Sequence, residues 1–142
     1  MDLAELYAHV GNETGQPAVM AFLAAGGDIN AAKASSGWTL LHLAVEHQNH
    51  ALIRLLVGHG ANLNARDHQG WTPLHLAVDV DIDSVIQAGG AASDSGLLTA
   101  QLLLSLGADA TTGDAAEMTP RDVAAGYGSD MLARYDAVIS AL

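Results

Sequence analysis

The side chains with chemistry to offer are seven histidines and 16 acids, with no cysteine beside them. Without thiolates there is neither a disulfide framework nor a cysteine zinc site. His47 and His50 stand three apart, a spacing that brings two imidazoles together on a helix. Their stretch reads instead as a turn between helices, and no carboxylate follows at ligand spacing. Asp79, Asp81 and Asp83 form a D-x-D-x-D string like the opening of a calcium loop. Such a loop needs Gly at its sixth position and Glu at its twelfth, where this chain has Ser84 and Gly90. Alternate residues also diverge on a helix, so the string reads as a solvated acidic edge. There is no glycine-rich phosphate cradle after a strand and no G-x-S-x-G elbow. The expectation is a non-enzyme without metal or cofactor.

The acids outweigh five basic residues to give a net charge of −11. The imbalance is concentrated. From Asp79 to Asp136 there are ten acids against Arg121 and Arg134, a balance of −8. That field repels a phosphate backbone and accelerates encounter with a basic protein; it also keeps an alanine-rich chain in solution. No apolar run approaches the roughly 20 residues that span a bilayer, and the N-terminus shows no signal-peptide pattern. A cytoplasmic, monomeric protein with no nucleic-acid or membrane partner is expected.

At 142 residues, half of them hydrophobic but only 4% aromatic, the core must be built from Ala, Leu and Val, which suits closely packed helices. The elements recur. Residues 37–45 read GWTLLHLAV and residues 70–78 read GWTPLHLAV, an offset of 33, with a weaker copy, MTPRDVA, at 118–124. A second segment recurs as AFLAAGGDIN at 21–30, LLVGHGANLN at 55–64 and LLLSLGADAT at 102–111. Thr39, Thr72 and Thr119 precede apolar-periodic segments as helix caps, and Pro73 and Pro120 follow at the first helical position. Leu41, Ala44 and Val45 share one face, as do Leu74, Ala77 and Val78. Gly26, Gly60 and Gly107 end the second helices, and polar stretches such as Asn64 to Gly70 turn into the next unit.

These repeated strings, in fixed order and phase, resemble the ankyrin-repeat family. The resemblance implies an all-α solenoid of about four helix-turn-helix units in one domain, at about 1–33, 34–66, 67–113 and 114–142. It also implies that His42 and His75 hydrogen-bond backbone between neighbouring units and that Asp67 caps a turn. The first unit lacks the Thr-Pro start and the fourth has Asp122 in place of the motif His, departures that fit terminal caps. The third unit is longer by 14 residues, 47 from Thr72 to Thr119 against 33 from Thr39 to Thr72. This insertion falls between its two helices, roughly Asp79 to Ser95. Its first part either lengthens the helix or forms a separate segment, and Gly-Gly-Ala-Ala-Ser reads as a flexible loop.

The resemblance further implies a recognition surface on the turn tips and the exposed face of the first helices. Trp38, Trp71 and Met118 occupy one phase of it. Two tryptophans so placed predict a ladder on the concave side, with packing across the inter-repeat groove as the alternative. His68 and Gln69 flank them at the tips, together with Ser35 and Ser36. Glu46, His47, Asp79, Val80 and Tyr127 take variable helix positions, and Asp81 and Asp83 extend the acidic edge. The expected function is protein binding, with a basic partner. It takes the form of an adaptor, an immunity-type inhibitor of a basic bacterial toxin, or a host-directed effector.

Overall fold

A computed structural model describes residues 3–11, 15–89 and 97–142. The described residues form eight helices and no strand: α1 (Leu3–His9), α2 (Gly15–Ala24), α3 (Leu40–Glu46), α4 (His50–Gly58), α5 (Pro73–Gln87), α6 (Leu98–Ser105), α7 (Pro120–Gly126) and α8 (Ser129–Ser140). They pair as α1 with α2, α3 with α4, α5 with α6 and α7 with α8, and the odd-numbered helices stack from α3 through α5 to α7. The result is the expected all-α solenoid.

Thr39, Thr72 and Thr119 each cap the helix that follows, accepting the backbone amide of His42, His75 and Asp122. The third side chain reaches back to the threonine amide, closing a capping box. Imidazole Nδ1 performs this step in the two middle units, accepting Thr39 N–H and Thr72 N–H at 3.2 Å. In the fourth unit the Asp122 carboxylate accepts Thr119 N–H at 2.9 Å. Ala44, Ala77 and Ala124 are fully buried, which lets the stacked helices approach closely. Around them lie Leu40, Leu41, Val45, Leu74, Val78 and Ile82, a core of aliphatic side chains as the composition demanded. Gly26, Gly60 and Gly107 all take positive φ after the second helices.

The third unit's surplus begins as helix. Helix α5 has 15 residues where α3 and α7 have seven, so Val80 to Gln87 continue it by about two turns. The glycine-serine stretch expected as a loop lies, from Gly90 on, outside the described residues.

This extension corrects the reading of Asp81. Helix α6 packs against α5, and Asp81 is only 4% exposed. Helix α6 is preceded by Leu97, which offers no side-chain cap. Asp81 supplies one from α5, accepting the Ala100 amide at 2.9 Å, and its other oxygen accepts Gln48 Nε2 at 2.9 Å. Gln48 in turn accepts from Ser84 Oγ at 3.1 Å, and His50 pairs with Thr99 Oγ1 at 2.9 Å. Burial pushes the Asp81 carboxyl above its ordinary range, and the bonds from Ala100, Gln48 and Thr99 oppose that shift. Asp81 is a buried internal cap and not part of a solvated acidic edge.

Candidate functional site

The turn tips are built by a carboxylate. Asp67 Oδ1 accepts the amides of Gln69 at 2.8 Å and Trp71 at 2.9 Å, closing the turn that presents His68 and Gln69. Asp114 repeats this with Ala116 and Met118. One unit earlier there is no such aspartate, and Ser36 Oγ accepts the Trp38 amide at 3.2 Å instead.

These turns aim the two tryptophans. Trp38 lies nearly parallel to His42, with centroids 6.3 Å apart, and Trp71 lies over His75 at 5.9 Å. Their indole N–H groups cross to the next unit, Trp38 to Asp67 Oδ2 at 3.1 Å and Trp71 to Asp114 Oδ2 at 3.0 Å. Each indole is therefore half-buried and bonded between units while leaving part of its surface open. Packing across the inter-repeat groove, the alternative to a free ladder, is present at both rings. Between the rings opens a groove of about 320 Å³, lined by Ser35, Ser36, Trp38, Asp67, His68, Gln69 and Trp71, with Leu76 at the wall.

Beneath the groove, His42 Nε2 donates to the Trp71 carbonyl at 2.9 Å, and His75 Nε2 donates to the Met118 carbonyl at 2.7 Å. A carbonyl only accepts and the facing amides only donate to Nδ1, so each ring is the neutral Nε2–H tautomer. Burial holds both imidazoles below their ordinary value, against the pull of the carbonyls. The inter-unit bond implied by the resemblance is present. Its equivalent in the first unit was missed from sequence: Tyr7 Oη donates to the Trp38 carbonyl. The only signal was a polar-tipped aromatic on a helix lacking the motif His.

The remaining expected residues lie elsewhere on the surface. Met118, 41% exposed, continues the phase of the tryptophans but is not among the groove-lining residues. Glu46 and His47 are exposed at the end of α3. His47 lies over Gly11, where an added Cβ would meet its ring at 2.8 Å. Asp79 accepts from Tyr127 Oη across α5 and α7, and this bond is the main reason the phenol is pushed up to about 12. Asp83 is exposed and accepts from Gln87 at 3.1 Å. The three aspartates of the D-x-D-x-D string thus face three different partners. Among the described residues no group of three or more His, Asp or Glu side chains is arranged to hold a metal ion, and no helix is long and apolar enough to cross a membrane.

The comparisons agree with this architecture. A family model described as "Ankyrin repeats (3 copies)" matches residues 6–88, and one described as "Ankyrin repeat" matches residues 69–115. No curated protein matches the sequence. Among solved structures, the ankyrin repeat domain of Bcl-3, described as a unique member of the IkappaB protein family, is similar, with a TM-score of 0.67 and 31% identity. The match covers 92% of this chain and 50% of that one, so the chain spans about half the length of this relative. With the repeated strings, the capped helix pairs and the His-to-carbonyl bonds between units, these matches place the chain in the ankyrin-repeat family, whose repeats bind protein partners.

Proposed function

We propose that this chain is a non-catalytic binding protein that takes a basic protein partner on its turn tips and concave face. The observation that carries the reading is the groove between Trp38 and Trp71. Two half-buried indoles in the same phase of adjacent units flank an open space with a carboxylate in its lining. Partly desolvated tryptophans are the commonest binding hot spots. Asp79, Asp83 and Tyr127 on α5 and α7 extend the surface with negative charge, and the net charge of −11 steers a basic partner toward it. We place the protein in the cytoplasm, as a monomer when free.

The charge favours one narrower reading, a stoichiometric inhibitor that neutralises a basic protein such as a bacterial toxin. Affinity capture from the source lysate at moderate salt tests both. A basic protein retained in equal amount, released by high salt and lost with Trp71→Ala, supports the proposal. A partner retained equally by wild type and variant would place recognition away from the groove.

A further inference from the structure

The groove between Trp38 and Trp71 has a composition that selects among the partner's side chains. The indole N–H groups are already committed to Asp67 and Asp114, so the rings present carbon surface and π density to the groove, with no donor left to offer. The other polar lining groups include the hydroxyls of Ser35 and Ser36 and the Gln69 amide, and no Lys or Arg lines the space. Asp67 accepts three N–H donors, from Gln69, Trp71 and Trp38. A carboxylate has about four acceptor positions, so one remains, and its charge is not neutralised. Among the described residues no ion pair involves Asp67, and the neighbouring Arg66 directs its Nε to the Gly70 carbonyl at 3.3 Å. A neutral apolar side chain would fill the volume but leave that carboxylate without a counter-charge. A guanidinium satisfies both, because its flat face lies against an indole while its edge donates to carboxylate and hydroxyl oxygens.

We propose that the Trp38–Trp71 groove is a slot for one arginine side chain of the protein partner. This rests on the reading of the turn tips as the binding surface and adds the chemistry that the surface selects. The slot takes the guanidinium through the ring faces and Asp67, and the flanking turn residues contact the backbone on either side.

The chain has two tryptophans, and both line the groove, so its two indole N–H resonances report on this site alone. The test follows them in ¹⁵N spectra of the full chain during titration with blocked Gly-Gly-Arg-Gly-Gly. Parallel titrations replace the arginine with citrulline, its neutral isostere, or with leucine. We expect both indole signals to shift saturably with the arginine peptide, with a dissociation constant of about 1–10 mM. The citrulline and leucine peptides should bind at least about tenfold more weakly. In Trp71→Leu the Trp38 signal should respond about tenfold more weakly to arginine. Equal shifts from citrulline or leucine, or indole signals that stay fixed while other residues respond to arginine, overturn the slot. A partner captured through Trp71 with no response to the arginine peptide would leave the binding surface standing and remove only the slot.

Discussion

Tyr7 Oη donates to the carbonyl of Trp38. The same bond recurs one unit on, from His42 to Trp71, and again from His75 to Met118. Three donors of two chemistries thus hold the carbonyl just before each capping threonine, and each tryptophan is fixed through its own backbone by the unit before it. The groove therefore depends on residues that never touch its contents.

Replacing Tyr7 with Phe keeps the ring and removes the donor. The variant should lose about 0.5–1.5 kcal/mol, one neutral hydrogen bond, with faster amide hydrogen exchange confined to α1 and α2. Unchanged stability and exchange would show that Tyr7 acts only by packing.

The two histidines make the array acid-sensitive. Their imidazoles titrate below the ordinary value of about 6.5 in the folded chain, so the unfolded chain takes up protons first as pH falls. The stability that depends on the neutral rings is complete above pH 6.5 and is lost below it, toward the depressed folded values. Asp81, whose carboxyl is raised, works in the opposite direction, since the folded chain binds its proton first. Urea midpoints between pH 7.5 and 4.5 should fall with acid, and fall more steeply in Asp81→Asn. A flat profile in both proteins contradicts the buried neutral tautomers.

Asp81 itself separates capping from charge. Asp81→Ala leaves the Ala100 amide buried without an acceptor and should cost about 1–3 kcal/mol at pH 7. Asp81→Asn keeps an acceptor at the same place and removes the desolvated charge, so it should cost less than about 1 kcal/mol. Chemical denaturation of the two variants gives the comparison; equal losses would mean the carboxylate charge is what α6 requires.

Glu117 has φ of 62°, at the turn position that Gly37 and Gly70 fill at 76° and 78°. A side chain in that region is strained, and glycine relieves it at some cost in unfolded-chain entropy. Glu117→Gly should raise stability by about 0.5–1 kcal/mol, read as a higher thermal midpoint.

The residues that repeat were legible in the sequence because repetition fixes phase. The Thr caps and the buried alanines follow from the recurring strings, and the inter-unit histidine bonds from the ankyrin resemblance those strings carry. What breaks the repeat was not legible. Asp81 lies in the extra turns of α5, and only the position of α6 shows that its side chain faces inward. Tyr7 performs a histidine's task with a different side chain, so no spacing rule reached it. The bonds that tie the tryptophans to the next unit needed the distances to Asp67 and Asp114, which no spacing in the sequence gives.

The most direct test of the account is partner retention by Trp71→Ala, with helicity followed by circular dichroism on the same preparation. Losing this ring removes a stacking contact with His75 and a bond to Asp114, so some stability is lost while the helical signal persists. The account predicts partner binding weakened by about 2 kcal/mol or more in a folded variant. Undiminished binding, or a chain that no longer folds, would contradict the claim that the Trp38–Trp71 groove is the recognition site.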